Sequence, residues 1–422
     1  VTDTALPPPT PEQSTTSSTW EPPQVSEFGF EANWTQEITR LPEVWNLNDA
    51  LDAAGRRPHV GIIDSGFSSH VDLDRLDGPL RLCTSGLDPW CTKLGPDEHG
   101  DHVAGIVGAD FDDVGVTGAS PFARMTGVSW KFDQSTLCEV VGPVVGQQEF
   151  ACEVSDGAIE GQIPVAMSLL LGELASGRLP AMDVLNLSVQ LAFPAGPTWW
   201  AAHPADTCGP GSADDGSGSS PCYPSVQDDW LAATAEFGKA YRRVIESYVR
   251  TLGDATPLVV HAAGNASGTY CEVDRGLPCP DELATPQLAV AMSGLAWANQ
   301  NWDQPDLPNP VVTVEALGRT EQFPGGDSTQ PAYPTLTLEP STKRAYMSNL
   351  GDGIPEAGRI AAPGATFSTC GPPEYELDSY CYQQGTSMAA PLVAGVAAAL
   401  AQWEPGLTAA DLKQRLVGRC QA

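Results

Sequence analysis

Three short motifs contain residues whose types suit acyl transfer. Asp64 ends an apolar run, His99 opens the stretch His99–Gly105, and Ser387 lies in the stretch Gly385–Pro391. A carboxylate can fix the tautomer of an imidazole, which then takes the proton of a serine hydroxyl as that hydroxyl attacks a carbonyl. We therefore interpret Asp64, His99 and Ser387 as an Asp–His–Ser catalytic triad.

The neighbouring sequence predicts the elements that position these residues. The run His59–Ile63 before Asp64 is apolar and is typical of a buried strand. Small residues follow both His99 and Ser387 and predict buried helices, so each side chain would lie near a helix N-terminus. Ser387 would then face unpaired backbone N–H groups, which favour a reaction that creates an oxyanion. A serine at a helix start is more often only an N-cap, so the other two motifs decide for catalysis.

The motifs resemble those of the subtilisin-like serine proteases. Ile62–Gly66, His99–Gly105 and Gly385–Pro391 are similar to the Asp, His and Ser motifs of that family and occur in its chain order. A fourth stretch, Ala262–Asn265, is similar to the one in which the family places an oxyanion-hole amide. The resemblance extends over residues 41–416, which is most of the chain.

The resemblance implies a three-layer α/β fold, with a mainly parallel central sheet flanked by helices. The alternation of apolar strands with helical patterns agrees with this fold class. The family resemblance also implies an endopeptidase in which Ser387 attacks the peptide carbonyl, His99 is general base and then acid, and Asp64 orients His99. The side chain of Asn265 and the backbone N–H of Ser387 would bind the oxyanion. No cofactor is required for this chemistry.

The resemblance also implies where a substrate binds. Residues 182–188 are similar to the strand to which the family adds its substrate as a further strand. The predicted substrate-binding residues are Leu187, Ser188, Val189, Gln190, Ala262, Ala263 and Gly264. Val189 and Gln190 stand where the family usually has a small glycine, so a larger side chain would either narrow the groove or reshape the pocket. The substrate preference is therefore not predicted.

Asp101 departs from the family pattern, which usually has a threonine at this position. Asp97 and Glu98 precede His99 and add to the negative charge. Acids in the first turn of a helix are ordinarily partners of the helix dipole. The alternative hypothesis is that they stabilise protonated His99, raise its pKa and move the acid limb of activity to higher pH.

The charge balance excludes some classes of partner. The chain of 422 residues has 21 Lys and Arg against 53 Asp and Glu, a net charge of −32. Such an excess repels phosphate backbones and anionic membranes, so neither nucleic acid nor a lipid surface is an expected partner. No apolar run reaches the roughly 18 uninterrupted residues of a membrane span. We expect a monomer that acts on a protein or peptide substrate.

Eleven cysteines indicate an oxidising compartment. The first ten form close sequential pairs in loop-like stretches, and none has the CxxC spacing of a zinc site. We predict the loop-closing disulfides Cys83–Cys91, Cys138–Cys152, Cys208–Cys222, Cys271–Cys279 and Cys370–Cys381. The alternative is a set of free buried thiols, and Cys420 has no predicted partner. Such bridges favour a secreted protein that is extracellular, cell-surface or periplasmic.

The chain is predicted to contain one catalytic domain. Residues 1–23 form a Pro/Thr/Ser-rich arm with too few apolar residues to fold, so we expect it to be flexible. The arm could be a spacer from a cell-surface anchor or a remnant of a pro-segment, which would be an inhibitory partner. Residues 24–422 form the domain, with predicted loop insertions near 131–160, 195–225 and 300–345.

Residues 213–219 (ADDGSGS) offer oxygen ligands for a structural calcium ion. They lack the spacing of an EF-hand loop, and the alternative is a flexible loop without metal. The identity of any metal-binding residue is therefore not predicted.

Two other functions would use the same residues. A catalytically silent binding protein on this fold would be recognised by loss of a triad residue, and Asp64, His99 and Ser387 are all present. A transpeptidase or cyclase would form the same acyl-enzyme but exclude water, and only product analysis distinguishes it. We expect a secreted serine endopeptidase.

Overall fold

The structure is a computed structural model, and it describes most of the elements around the three motifs. The described residues are 35, 39, 41–68, 70–81, 98–112, 115–129, 156–189, 223–265, 293–317, 348, 358–371 and 379–419. The helices are α1 (Pro42–Ala53), α2 (Glu98–Gly108), α3 (Asp156–Ala175), α4 (Tyr223–Leu252), α5 (Gly294–Gln300), α6 (Thr386–Trp403) and α7 (Ala409–Arg419). The strands are β1 (His59–Asp64), β2 (Leu76–Arg81), β3 (Arg124–Ser129), β4 (Val184–Leu187), β5 (Leu258–Ala262), β6 (Val311–Leu317), β7 (Arg359–Pro363), β8 (Ala365–Cys370) and β9 (Ser379–Gln384).

A parallel sheet forms the centre of the fold. The described strands make a seven-stranded sheet in the order β2–β3–β1–β4–β5–β6–β7. Each neighbouring pair in this sheet runs parallel. Strands β8 and β9 form a separate antiparallel hairpin. The predicted mainly parallel sheet is confirmed.

Side chains on the two faces of the sheet bury two hydrophobic clusters. In β1, Val60 and Ile62 belong to the cluster that contains α2 and α6, whereas Ile63 belongs to the cluster with α3 and α4. In β5, Val260 belongs to the cluster with α2 and α6, and Val259 belongs to the cluster with α3 and α4. This alternation follows from the two-residue period of a strand, and helices must cover both apolar faces. The predicted three-layer α/β architecture is confirmed.

Helix α6 carries the Ser387 motif through the core. By length and composition it could cross a membrane, with a mean hydropathy of 1.3 over 18 residues. In the structure, however, 78% of this stretch is buried inside the fold. A helix that is apolar on all sides is typical of a protein core as well as of a membrane. We therefore assign α6 to the core and not to a membrane.

Strand β6 lies inside the range 300–345, where the sequence predicts an insertion with short strands. It is the sixth strand of the central sheet and pairs with both β5 and β7. Pro, Asp and Gln residues surround the short β-branched run Val311–Val314, so the strand signal of this run is weak in the sequence. Any insertion in this range must therefore lie outside β6.

The other predicted insertions also border regular elements. Helix α3 begins at Asp156 and α4 begins at Tyr223, within the ranges 131–160 and 195–225. The preceding parts of both ranges lie outside the described residues, as does the arm 1–23.

Candidate active site

The site forms at the carboxyl edge of the sheet. Asp64 is the last residue of β1, and the register pairs Ile63 with Leu187 of β4 and Leu187 with His261 of β5. Strands β3 and β2 lie on one side of β1, and β4 to β7 lie on the other. In α/β sheets, ligands bind outside the carboxyl ends of the strands, where the strand order changes direction.

The Asp64 carboxylate binds the imidazole of His99. The distance from His99 Nδ1 to Asp64 Oδ1 is 2.8 Å. The same Oδ1 accepts the backbone N–H of Ser65 at 2.7 Å and its hydroxyl at 3.1 Å. The Asp64 side chain is 1% exposed and that of His99 is 33% exposed. Because the carboxylate can only accept, neutral His99 carries its proton on Nδ1, which leaves Nε2 as a base.

Helix α2 brings His99 against the loop that follows Asp64. His99 is the second residue of α2, and Gly100 follows it. A Cβ on Gly100 would overlap the backbone carbonyl oxygen of Gly66. A glycine at this position therefore permits the close approach of α2 to β1.

Ser387 lies at the start of α6, as the sequence predicts. It is the second residue of the helix and lies two positions after the N-cap Gly385, whose φ of 147° favours glycine. Its hydroxyl donates to the backbone carbonyl of Ser188 at 3.0 Å. Ser188 directly follows β4, so this bond joins α6 to the carboxyl edge of the sheet. Ser387 is 8% exposed.

Asn265 is fixed beside Ser387 by Thr386. Its Oδ1 accepts the Thr386 backbone N–H at 2.8 Å and the Thr386 hydroxyl at 3.0 Å. The Thr386 hydroxyl in turn accepts the backbone N–H of Gly264 at 3.0 Å. Oδ1 is therefore occupied, and Nδ2 lies 2.8 Å from the position of a Cβ on Gly385. This role of Thr386 is not predicted from the sequence, although Thr386 directly precedes Ser387 in the stretch Gly385–Pro391.

The predicted substrate-binding residues lie at the ends of two adjacent strands. Three of these residues lie at the end of β4 or directly after it: Leu187, Ser188 and Val189. Three others lie at the end of β5 or directly after it: Ala262, Ala263 and Gly264. Ser188 and Ala263 are buried, whereas Val189 is partly exposed. Gln190 lies outside the described residues.

The hairpin β8–β9 contains a disulfide between Cys370 and Cys381, with a Cα–Cα distance of 5.7 Å. It is the fifth of the predicted pairs. The other four pairs lie outside the described residues, as does Cys420.

The hairpin packs on α2, where His102 lies close to the backbone carbonyl of Cys381, with Nε2 at 3.1 Å. Burial lowers the pKa of His102 to about 3, so its imidazole is neutral and Nε2 donates to the carbonyl.

Metal binding has no support within the described part of the chain. There, no group of three or more His, Cys, Asp or Glu side chains could hold a metal ion. The acidic segment 213–219 lies outside this part, and calcium binding to it stays a prediction.

Three known proteases are similar to this chain. The minor extracellular protease Epr of Bacillus subtilis is 24% identical over 78% of this chain and 46% of its own length. Mycosin-3 of Mycobacterium tuberculosis is 25% identical over 90% of this chain and 65% of its own length. Subtilisin Savinase of Lederbergia lenta is 24% identical over 68% of this chain and 94% of its own length. The chain thus spans less than two thirds of the length of Epr or of mycosin-3.

A solved structure of the MycP3 protease from the type VII (ESX-3) secretion system is also similar. It has 21% sequence identity and a TM-score of 0.45, and the match covers 90% of this chain and 80% of that chain. The model of the subtilase family matches residues 55–420. Members of this family need no cofactor for catalysis. Because the match includes every residue of the candidate site, the chain belongs to the subtilase family.

Proposed function

We propose that this chain is a secreted serine endopeptidase that hydrolyses peptide bonds through an acyl-enzyme. The observation that carries the proposal is the 2.8 Å contact between His99 Nδ1 and Asp64 Oδ1 at the sheet edge to which α6 brings Ser387. Membership of the subtilase family supports serine protease chemistry. We assign Asp64, His99 and Ser387 as the triad.

The triad would act in a fixed order. Nε2 of His99 takes the proton of the Ser387 hydroxyl as Oγ attacks the peptide carbonyl carbon. That hydroxyl donates to the Ser188 carbonyl in the free protein, so its O–H bond must first turn toward His99. Protonated His99 then gives the proton to the leaving amine, and a water molecule hydrolyses the acyl-enzyme with His99 again as base. Throughout the cycle, the Asp64 carboxylate accepts the hydrogen bond from the Nδ1–H of His99.

The oxyanion would be stabilised by Asn265 Nδ2 and the backbone N–H of Ser387. The bonds from Thr386 to Asn265 Oδ1 support this assignment, since they leave Nδ2 as the donor end of the amide. Preorganised donors of this kind stabilise charge that develops only in the transition state.

A peptide substrate would bind as an added strand along the residues that follow β4 and β5. The Ser188 carbonyl accepts from Ser387, so it is available to a substrate N–H once that hydroxyl turns away. The disulfide Cys370–Cys381 and the extracellular relative Epr support a secreted, extracellular or cell-envelope location. We propose a monomer whose catalytic domain spans residues 24–422.

Labelling with a fluorophosphonate, followed by peptide mass spectrometry, tests the proposal. We expect selective modification of Ser387 in the native protein, no modification of Ser387→Ala, and loss of labelling in His99→Ala. Ser247→Ala is the matched control, because Ser247 lies on the exposed face of α4 and bonds only locally to the Arg243 carbonyl. Absence of labelling in folded native protein would contradict the proposal and favour a catalytically silent binding protein.

Product analysis separates hydrolysis from acyl transfer to a second peptide. Digestion of a peptide mixture in H₂¹⁸O should place ¹⁸O in each new carboxyl terminus. Ligated or cyclic peptides without ¹⁸O would instead indicate a transpeptidase or cyclase that uses the same acyl-enzyme.

A further inference from the structure

Asp101 has a buried carboxylate between the segments that carry Asp64 and His99. It is 0% exposed and lies on α2, two residues after His99. One carboxylate oxygen accepts the backbone N–H of Ser68 at 2.7 Å, and the other accepts the Ser68 hydroxyl at 2.5 Å. Ser68 belongs to the loop that follows Asp64. These two bonds therefore join that loop to α2 next to the Asp64–His99 contact.

The hairpin β8–β9 encloses Asp101 from a third side. The Thr369 hydroxyl donates to the backbone carbonyl of Asp101 at 2.7 Å. A Cβ on Gly371 would overlap the Asp101 carboxylate, so the hairpin backbone lies directly against it. The register pairs Thr369 with Tyr380, near the start of β9. Asp101 thus lies where the loop after Asp64, helix α2 and the hairpin meet.

A carboxylate suits this position for two reasons. It offers a separate oxygen to each Ser68 donor, and hydrogen bonds to an ionised acceptor are shorter and about twice as strong as neutral ones. Its negative charge is also favourable in the first turns of α2, near the positive end of the helix dipole. Both carboxylate oxygens of Asp101 thereby accept hydrogen bonds from Ser68. The hypothesis that its charge acts on the pKa of His99 stays a prediction.

We propose that Asp101 is a positioning residue, which sets the separation and orientation of Asp64 and His99 through its two bonds to Ser68. The kinetic part of this inference rests on the proposed protease function. The Gly66–Gly100 contact fixes one point between the loop and α2, and the Ser68–Asp101 bonds fix a second. Two fixed points restrict the rotation of the loop against the helix to the axis that joins them. Reactions of this kind lose rate steeply when the reacting groups shift by about 1 Å.

Kinetics of Asp101→Ala and Ser68→Ala test the proposal. We expect Asp101→Ala to lower kcat by about 10- to 100-fold and to leave KM within about twofold. Ser68→Ala loses only the hydroxyl bond and should lower kcat by roughly fivefold. The double variant should be no slower than Asp101→Ala, because both changes act on one contact. Asp101→Asn keeps an acceptor for the Ser68 N–H and should recover part of kcat.

Asp110→Ala is the matched control for a loss of stability alone. Its carboxylate accepts the backbone N–H of Asp74 at 3.2 Å and the Nε–H of Arg75 at 2.9 Å. Asp110 lies two residues beyond the C-terminal end of α2, whereas His99 lies at the N-terminal end. We expect Asp110→Ala to lower the Tm while kcat stays at the wild-type value. If Asp101→Ala lowers kcat no more than Asp110→Ala does, the positioning proposal is overturned.

Proton NMR of the His99 Nδ1–H gives a readout that does not depend on turnover. This signal, identified by its absence in His99→Ala, should shift or broaden in Asp101→Ala and stay unchanged in Asp110→Ala. An unchanged signal in Asp101→Ala would refute the positioning role. If fluorophosphonate does not label the wild-type protein, the proposed function fails, and the NMR signal still decides the role of Asp101.

Discussion

Gly100 of α2 lies so close to Gly66 that a Cβ on Gly100 would overlap the Gly66 carbonyl oxygen. Gly100→Ala should therefore push α2 away from the loop after β1 and lengthen the 2.8 Å contact between His99 and Asp64. We expect a loss of about 100-fold in kcat/KM. Steady-state kinetics on a peptide substrate measure this loss.

Gly172→Ala is the control for Gly100→Ala. Gly172 lies in α3, and a Cβ there would have nothing within 4 Å. Replacement of an exposed helical glycine by alanine stabilises a protein by about 0.5–1 kcal/mol, and kcat should not change. Wild-type activity in Gly100→Ala would show that the approach to Gly66 does not position His99.

Asn265→Ala should lower kcat by about 10²–10³-fold with little change in KM, because an oxyanion donor acts mainly in the transition state. This magnitude is the one known for a subtilisin. Thr386→Val keeps the Thr386 N–H on Asn265 Oδ1 but removes the hydroxyl that links Asn265 to Gly264. Its kcat should fall less than that of Asn265→Ala. For either variant, a rise in KM that exceeds the fall in kcat would indicate a role in substrate binding instead.

Replacement of both Cys370 and Cys381 by alanine should lower the free energy of unfolding by about 2–3 kcal/mol, since their sequence separation of 11 closes a short loop. Urea unfolding of the oxidised wild type and of the double variant measures the difference. Mass spectrometry of non-reduced peptides checks the pairing itself. Equal unfolding midpoints would show that this bridge does not stabilise the hairpin β8–β9.

Stability should fall in acid because of buried histidines. Burial lowers the pKa of His261 from 6.5 to about 3, and its Nε2 lies 2.8 Å from the Ser293 hydroxyl oxygen. Between these pH values the unfolded chain binds the proton and the folded chain does not, so stability falls as the pH decreases from 6.5 to 3. His261→Gln should reduce this slope in calorimetric Tm values between pH 7 and about pH 4. His102 contributes in the same direction, so part of the slope should remain. Parallel Tm profiles of the two proteins would contradict the assignment to His261.

The local sequence was sufficient to predict the elements that carry the site. Apolar residues before Asp64 predict β1, and small residues after His99 and Ser387 predict α2 and α6, because burial patterns depend on near neighbours in the chain. The same local reasoning predicts an insertion with short strands around β6, because Pro, Asp and Gln flank it, and does not indicate that β6 belongs to the central sheet. Its place in the sheet depends on β5 and β7, which lie far from it in sequence.

The sequence by itself determined the chemical types of the site residues, their order and the strand or helix on which each lies. Only the tertiary structure decided their partners. The Ser387 hydroxyl donates to a carbonyl 199 positions away, and the Asp101 carboxylate binds Ser68, 33 positions away, where the sequence favoured a partner of the helix dipole. Such contacts depend on how the loops at the carboxyl edge of the sheet pack against α2 and α6. No local pattern contains that information, because hydrogen-bond partners distant in the chain are selected by packing.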